Sequence, residues 1–297
     1  MNPMRSVLLM LVSAGMSFAQ LQGIVDTHTH GDPDSAARSI DVLELARIAK
    51  AAGMRAIVLK NHYAPTVQAA YLVSEIVPGI QIFGAIALDR AVGGVNPEAV
   101  RQAAAFKGKK LRVVWMPTFD SENDVTFSKQ NRPFVSVQRD GKLLPETMEV
   151  LQIVARENIV LATGHSSAAE DLLLVREAKK LGINHIIVTH PLARAQHMTI
   201  PEMQEAAKMG AYIELCGAAL LPTQEPNGKI PVDVYVNVIH NVGAEHIILS
   251  SDLGQAINPV HTDGWKQFLD ILRKAGISDK ELDTMDKTNP AALLGLQ

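Results

Sequence analysis

Two histidines lie two positions apart near the start of the sequence, in the segment VDTHTHGDPD (residues 25–34). His28 and His30 follow a short apolar run, LQGIV, and precede a break rich in Gly, Asp and Pro. Residues i and i+2 of a strand point to the same face, so the two imidazoles would lie side by side, with Asp26 below them. Paired imidazoles suit a divalent transition metal. The spacing alone leaves a second interpretation open, a turn that happens to contain two histidines.

The elements that would position these histidines repeat along the chain. A helix-like segment ends near a Gly or Asn, a continuous run of Val, Ile and Leu follows, and a polar residue closes it, as in KLGINHIIVTH (180–190). Continuous apolar runs are typical of parallel strands that are covered on both faces. Eight alternating strand–helix units predict an α/β fold of the (β/α)8 TIM-barrel class. The strands are predicted near 23–27, 55–60, 80–87, 111–116, 158–163, 185–189, 211–215 and 246–250, and the helices near 40–52, 66–77, 97–107, 145–157, 167–181, 199–209, 231–242 and 262–275.

Two segments depart from this alternation. Residues 119–144, after the fourth predicted strand, contain RPFVSVQRDGKLL, which predicts a hairpin that turns at Asp140 and Gly141 and forms part of a lid. Residues 278–296 predict an extra C-terminal helix. No linker rich in Gly, Ser or Pro divides the chain, so we expect residues 20–297 to form a single domain.

In a barrel of this class the carboxyl ends of all strands meet at one rim, and that rim holds the active site. Residues far apart in sequence would therefore meet there. His185 and His246 open their strands at the opposite rim, and His240 lies late in a helix, so we interpret these three as structural or surface residues. The polar residues that follow the predicted strands are His28, His30, Lys60, His62, Asp89, Arg90, Thr118, His165, His190, Glu214 and Asp252.

The N-terminal segment MNPMRSVLLMLVSAGMSFAQ predicts a secretory signal peptide over residues 1–19. It has a basic residue, a short apolar stretch, and small residues (Ser17 and Ala19) before Gln20. Cleavage would place the mature protein in the periplasm or outside a bacterial cell. A retained membrane anchor is the alternative, although the apolar stretch is short for a bilayer.

The composition limits the kinds of partner. The 297 residues carry a net charge of −3, and aromatic residues make up only 4% of them. We therefore expect neither a nucleic-acid partner nor a stable membrane partner, and a small-molecule substrate instead. Cys216 is the single cysteine, so no disulfide can form within the chain. Assembly into a homo-oligomer is left open.

On these residues the chain resembles the amidohydrolase superfamily, metal-dependent hydrolases built on a (β/α)8 barrel. The resemblance covers essentially the whole mature chain and includes the closing segment NPAALLGL (289–296). KNHY after the second strand, VGG after the third and VWMPT around the fourth resemble a little-characterised branch of that superfamily. The residues that carry the resemblance are Asp26, His28, His30, His165, His190 and Asp252.

The resemblance implies a site with two divalent metals. His28, His30 and Asp252 would hold one metal, and His165 and His190 the other. Zinc is the expected metal, and manganese, iron or nickel would also fit. Asp26 would orient a ligand imidazole.

The bridge between the two metals is the point at which the chain departs from the pattern. Many members use a carboxylated lysine after the fourth strand, but LRVVWMPT (111–118) contains no lysine, aspartate or glutamate. Lys60, after the second strand, is the predicted substitute, because a buried lysine flanked by metals can lose its proton and take up carbon dioxide. A plain ammonium group is the alternative, and the site would then hold a single metal. Glu214 is a weaker candidate for the bridge.

The implied activity is that of a metal-dependent hydrolase, in which a metal-activated hydroxide attacks an amide, a cyclic amide or a lactone of a small molecule. Asp252 would be the catalytic residue that transfers the proton. His62, Arg90 and Arg194 are the predicted substrate-binding residues. Two alternatives remain: an exported barrel that binds a metal or ligand without turnover, and a phosphoesterase of another histidine-rich barrel type.

Overall fold

The computed structural model describes residues 21–221 and 229–296, and within them eight parallel strands form one sheet. The sheet closes where the segment after the last strand lies against the first. There the Asp252 amide donates to the His28 carbonyl and the His30 amide donates to the Leu253 carbonyl, each at 2.8 Å. The predicted (β/α)8 barrel is confirmed, as is the position of every predicted strand. The barrel strands are β1 (Val25–Thr29), β2 (Ala56–Leu59), β3 (Gln81–Ala87), β4 (Leu111–Trp115), β7 (Val160–Ala162), β8 (Ile186–Val188), β9 (Tyr212–Cys216) and β10 (Ile247–Ser250).

Helices separate the strands, and local sequence signals fix where they begin. Asp41 accepts hydrogen bonds from the Leu43 and Glu44 amides, which caps the first helix. Ser167 and Glu170 form a capping box at the start of another. The helices that alternate with the barrel strands are α1 (Val42–Ala51), α2 (Val67–Ile76), α3 (Pro97–Ala105), α5 (Pro145–Glu157), α6 (Ala168–Lys180), α7 (Ile200–Lys208), α8 (Val232–Val242) and α9 (His261–Lys274).

The apolar core has two layers. The larger layer lies between the strands and the surrounding helices and includes Ile57 and Leu249. The second fills the inside of the barrel, from Phe83 and Ile248 near the amino-terminal ends of their strands, which pack with the C-terminal Leu293, up to Trp115 at the end of β4. The C-terminal segment therefore closes one end of the barrel, and the carboxyl ends of the strands are left for polar residues.

The insertion after β4 contains both a predicted and an unpredicted element. Strands β5 (Gln138–Arg139) and β6 (Lys142–Leu143) pair antiparallel around Asp140 and Gly141, which both have positive φ, so the predicted hairpin is confirmed. A short helix, α4 (Glu122–Phe127), precedes it and was not predicted.

The C-terminal segment is helical, as predicted, but it is not one regular helix. It consists of α10 (Asp279–Asp283), a π-helical turn (Thr284–Thr288) and α11 (Asn289–Leu293). The break has a physical reason, because Pro290 lacks the amide hydrogen that a continuous α-helical ladder needs.

The predicted signal peptide, residues 1–19, lies outside the described residues, so the cleavage and the periplasmic or secreted location stay predictions. Among the residues with described positions, no helix is long and apolar enough to cross a membrane.

Candidate metal centre

The carboxylate of Asp252 lies at the centre of a group of histidines at the carboxyl ends of the strands. Its Oδ1 atom is 3.1 Å from Nε2 of His28 and 3.1 Å from Nε2 of His30. Its Oδ2 atom is 3.7 Å from Nε2 of His190. The His28 and His30 rings are 5.4 Å apart, so the two imidazoles do lie side by side as predicted. One carboxylate therefore faces three imidazole nitrogens from β1 and from the end of β8.

The backbone that presents these side chains adopts conformations that are uncommon for non-glycine residues. His190 has φ of 51° and Asp252 has φ of 49°, in the left-handed region. Such conformations cost about 1 kcal/mol or more each and cluster at functional sites. Gly164, immediately before His165, has φ of 71°, and a Cβ atom there would lie 2.3 Å from the Met116 carbonyl oxygen. Only glycine therefore allows the end of β7 to pass this close to the end of β4.

His165 is oriented by a residue that the sequence analysis did not single out. Its Nδ1 atom lies 2.5 Å from Oδ2 of Asp124, in the unpredicted helix α4. Its Nε2 atom is buried and has no hydrogen-bond partner among the described residues. A histidine fixed by a carboxylate on one nitrogen, with the other nitrogen buried and unpartnered, is typical of a metal ligand.

Glu214 orients His28 in the same way. Its Oε1 atom lies 3.1 Å from Nδ1 of His28 and accepts a hydrogen bond of 2.7 Å from the Ser250 hydroxyl. Burial would raise the pKa of Glu214, but the neighbouring His28 lowers it to about 2. Burial and Lys60 would lower the pKa of His28, but Asp252 and Glu214 raise it. Glu214 therefore contacts the far nitrogen of His28 and turns Nε2 toward Asp252.

Lys60 reaches the same space from β2. Its Nζ atom lies 2.9 Å from Nε2 of His28 and 5.0 Å from the centre of the Trp115 ring. The side chain is almost completely buried, and burial lowers the pKa of the amine. Trp115 ends β4, and Lys60 lies over its ring. The geometry thus brings Lys60 to the predicted ligands.

The structure corrects the predicted role of Asp26. The register between β1 and β2 shifts between Asp26 and Thr29, so the alternation of side chains is interrupted. The carboxylate of Asp26 accepts hydrogen bonds from the rings of His261 (2.8 Å) and Trp265 (2.7 Å) in α9, and from the backbone amide of His28 (3.1 Å). Asp26 thus fixes β1 against a helix, and the carboxylates that contact the Nδ1 atoms of ligand imidazoles are Glu214 in β9 and Asp124 in α4.

His62 belongs to a buried chain of hydrogen bonds. Its Nδ1 atom lies 2.7 Å from the Thr118 hydroxyl, which in turn donates to Asp89. Burial raises the pKa of Asp89. While this carboxyl is ionised, the single hydroxyl hydrogen of Thr118 is donated to it, so Nδ1 of His62 is the donor to Thr118 and Nε2 is an acceptor. Burial holds the pKa of His62 well below its usual value, which keeps the ring neutral.

A cavity of about 380 Å³ opens onto this cluster. His62, one of the three predicted substrate-binding residues, lines it. The other two, Arg90 and Arg194, are exposed and are not among its lining residues. The arginine that does line the cavity is Arg38, in the loop after β1. The ligand candidates that line it are His30, Lys60, His165, His190 and Asp252.

The donor set fits divalent metal ions. One ligand atom each from His28, His30 and Asp252 lies within 4.8 Å of the others, and imidazole nitrogen with carboxylate oxygen suits zinc and its neighbours. The unpartnered Nε2 of His165 supplies a further nitrogen. His28 also groups with His190, Glu214 and Cys216, whose possible ligand atoms likewise lie within 4.8 Å of one another.

Comparison with known proteins places the chain in a family. A family model, DUF6282, described as a family of unknown function, matches residues 23–214. The chain belongs to the DUF6282 family. The match includes the candidate ligands from His28 in β1 to Glu214 in β9 and leaves out Cys216 and Asp252, so the family region of this DUF6282 protein contains most of the candidate metal centre. No curated protein matches the chain.

Solved structures share the fold of this DUF6282 protein at low sequence identity. A lactonase template engineered for organophosphate hydrolysis is 17% identical, with a TM-score of 0.62, over 93% of this chain and 97% of that one. The organophosphorus hydrolase from Deinococcus radiodurans is 18% identical, with a TM-score of 0.61, over 93% of this chain and 94% of that one. A mutant PTE-like lactonase from the same organism is 17% identical, with a TM-score of 0.59, over 93% and 97%. At these identities the likeness establishes the shared barrel.

Proposed function

We propose that this chain is a metal-dependent hydrolase of small molecules. The observation that carries the proposal is the position of Asp252, whose carboxylate faces Nε2 of both His28 and His30 at 3.1 Å. His165, whose buried Nε2 atom has no hydrogen-bond partner among the described residues, lines the same cavity and supports the proposal. The barrel fold shared with hydrolases agrees with the proposal as an analogy.

The proposed ligands of one divalent metal are His28, His30 and Asp252, and those of a second are His165 and His190. When bound, the ions supply Lewis-acid chemistry, because they polarise the substrate and lower the pKa of water. Zinc is the first choice for this donor set, with manganese, iron or nickel as alternatives.

Asp252 has the properties of the proton acceptor. Burial alone would raise the pKa of its carboxyl, but the adjacent His28 and His30 hold it well below the usual value. The carboxylate is therefore ionised at neutral pH. It accepts the proton of the attacking water and passes it to the leaving group. His62 is the proposed substrate-binding residue, because its Nε2 acceptor belongs to a ring that lines the cavity.

We propose that the Lys60 amine is carboxylated in the active protein. The neutral amine adds to the carbon of carbon dioxide and releases one proton, which yields a carbamate. Burial lowers the pKa of Lys60 and so favours the neutral amine that this addition needs. Its position beside Nε2 of His28 suits a bridge between the two metals.

The proposed bond is a lactone or another carboxylic ester, with amides and cyclic amides as the further members of the class. The names of the neighbouring structures, a lactonase and an organophosphorus hydrolase, favour an ester over a C–N bond. The same names favour a phosphotriester as the second candidate substrate.

The test is metal content per chain, measured by elemental mass spectrometry after loading with zinc or manganese. The variants are Lys60→Ala and, as a matched control, Lys208→Ala, which changes an exposed lysine at the end of α7. We expect about two metals per chain in the wild type and the control, and about one or none in Lys60→Ala. Labelling with isotopic bicarbonate, read by NMR, would show the carbamate in the wild type and in Lys208→Ala, and not in Lys60→Ala.

Each other result contradicts a definite part of the proposal. About one metal in all three proteins would mean a mononuclear site and would remove the bridging role of Lys60. No metal under any loading condition would overturn the metal-dependent hydrolase. Bound metal with no turnover of a lactone, an aryl ester, a phosphotriester, an amide or a cyclic amide would favour a metal-binding barrel without catalysis.

A further inference from the structure

Arg38 lies in the loop after β1 and lines the same cavity as the candidate ligands. Its side chain is only 5% exposed, which is unusual for an arginine. The loop is fixed beside the segment that follows Asp252, since the Ser39 amide donates to the Gly254 carbonyl at 2.8 Å. The backbone of Gln255 forms an antiparallel β-bridge with that of Arg38, and the Gln255 side-chain amide donates to the carbonyl of Asp252 at 2.8 Å. Arg38 is thus held next to the residues that follow the proposed proton acceptor.

Asp34 fixes the orientation of the Arg38 guanidinium. Oδ2 of the fully buried Asp34 side chain accepts from Nε at 2.7 Å and lies 2.6 Å from Nη2. A guanidinium has five N–H donors in a rigid fork, and these two contacts use only two of them. The pair therefore presents a preorganised cation with spare donors at the wall of the cavity.

The other residues that line the cavity indicate which class of ligand this cation would contact. Ala36, Ala37, Phe119 and Ile257 provide an apolar surface around it. Asp252 is the only carboxylate among the described residues that line the cavity, and we have placed it at the metals. An oxyanionic group of a ligand would thus find donors at Arg38, and an apolar body would find Phe119 and Ile257.

We propose that Arg38 is an anion-binding residue that selects small molecules with an apolar body and a carboxylate or another oxyanionic group. The inference names the substrate class of the proposed hydrolase and rests on that function for its place in catalysis. The binding itself does not require turnover. Arginine suits such a role because its planar fork matches an oxyanion with two parallel hydrogen bonds.

The test compares two probes of nearly equal shape, benzenesulfonate and methyl phenyl sulfone, which differ in charge. Sulfonates coordinate metals weakly, so contact with an ion does not hide the arginine. Affinities are measured by ligand-observed NMR titration, on metal-loaded and on chelator-treated protein. The variants are Arg38→Met, Arg38→Lys and Asp34→Asn, with Arg156→Met as the control, because Arg156 is an exposed arginine whose Nε also bonds a carboxylate.

We expect Arg38→Met to weaken benzenesulfonate binding by about tenfold to a hundredfold, as loss of a charge-assisted hydrogen bond does, and to leave the neutral sulfone within about twofold. Arg38→Lys should recover part of the loss. Asp34→Asn should keep the preference for the anion, because the guanidinium remains. Arg156→Met should bind both probes like the wild type.

An unchanged preference for the anion in Arg38→Met, or an equal loss for both probes, would overturn the inference and leave Arg38 as an ion-pair partner that fixes the loop. If Arg38→Met fails to fold because Asp34 is left unpaired, the double variant Asp34→Asn with Arg38→Gln replaces the ion pair with a neutral pair and answers the same question. Sulfonate binding that depends on Arg38 in a protein that takes up no metal would retain the inference and reject the hydrolase. If Arg38→Met hydrolyses charged and neutral esters with the same preference as the wild type, the hydrolase would be retained and the inference about Arg38 rejected.

Discussion

The two ends of the barrel interior are built from the same strands and differ in almost every property. At the amino-terminal end, Phe83 and Ile248 pack with Leu293 in a closed apolar layer. At the carboxyl end, Ser250, two residues after Ile248 on β10, faces Glu214 instead. One short strand therefore contributes to an apolar core and to a polar site within a single repeat of the pleat.

The contrast shows that the amino-terminal end stabilises the fold and that the buried polar groups at the carboxyl end destabilise it. Apolar burial at the amino-terminal end is favourable without any ligand. At the carboxyl end, burial lowers the pKa of His30 to about 4 and that of His190 to about 3, so both rings are held neutral away from water. Buried polar groups of this kind are retained where chemistry needs them.

The largest effect is expected at the carboxyl end, from Asp252→Asn. This change keeps the shape of the side chain and removes the proton acceptor, so we expect kcat to fall by about 10²- to 10⁴-fold. Steady-state hydrolysis of a lactone or another ester that the wild type cleaves measures kcat. Asp263→Asn, an exposed change in α9, is the control. Equal kcat in Asp252→Asn and wild type would remove Asp252 from the mechanism.

The converse experiment is made at the amino-terminal end with Leu293→Ala. Leu293 is buried against the barrel interior, and removal of a buried leucine side chain should lower the free energy of unfolding by about 2–5 kcal/mol. Metal content and KM should not change, because the ligands lie at the other end. Urea unfolding measures the loss, and Leu72→Ala, at an exposed leucine, should change it little. A loss of metal in folded Leu293→Ala would show that the two ends are not independent.

The same contrast explains what could be predicted from the sequence. Strands, helices and the convergence of His28, His30, His165, His190 and Asp252 follow from periodicity, because eight equivalent units repeat one pattern. Asp26 was misplaced because a register shift inside β1 breaks the period-two rule, and one sequence gives no sign of that shift.

Loop residues were missed for a different reason. Asp124 and Arg38 reach the site from a short helix in an insertion and from the loop after β1, where no period relates sequence position to direction. Arg90 and Arg194 follow strands, as residues of the site do, but both are exposed to solvent. Glu214 had the right signal, a carboxylate at the end of a predicted strand. The resemblance makes Glu214 a weak candidate for the bridge, and it gives no sign of the imidazole that this carboxylate orients.

The smallest effect, and the finest test of the comparison, is the pH dependence of stability in metal-free protein. His30 and His190 have folded-state pKa values below the ordinary value of 6.5, so between pH 6.5 and about 4 the unfolded chain binds more protons than the folded one. The free energy of unfolding is therefore not reduced by these two groups above pH 6.5. As the pH is lowered from there, each ring reduces it by about 1.4 kcal/mol per pH unit. The raised pKa of His28 acts in the opposite sense, and only above pH 6.5.

Urea unfolding of chelator-treated protein at several pH values measures this slope. His190→Asn should reduce it, because one of the two titrating rings is removed. Leu293→Ala should lower the free energy of unfolding at every pH and leave its slope against pH unchanged, since the described residues of that apolar layer carry no group that titrates in this range. Asp286 in the C-terminal segment, whose pKa burial raises to about 7, is present in the variant and in the wild type alike. A slope that changes with Leu293→Ala and not with His190→Asn would mean that the acid sensitivity arises outside the metal centre, and the division of the barrel into a stabilising end and a functional end would be wrong.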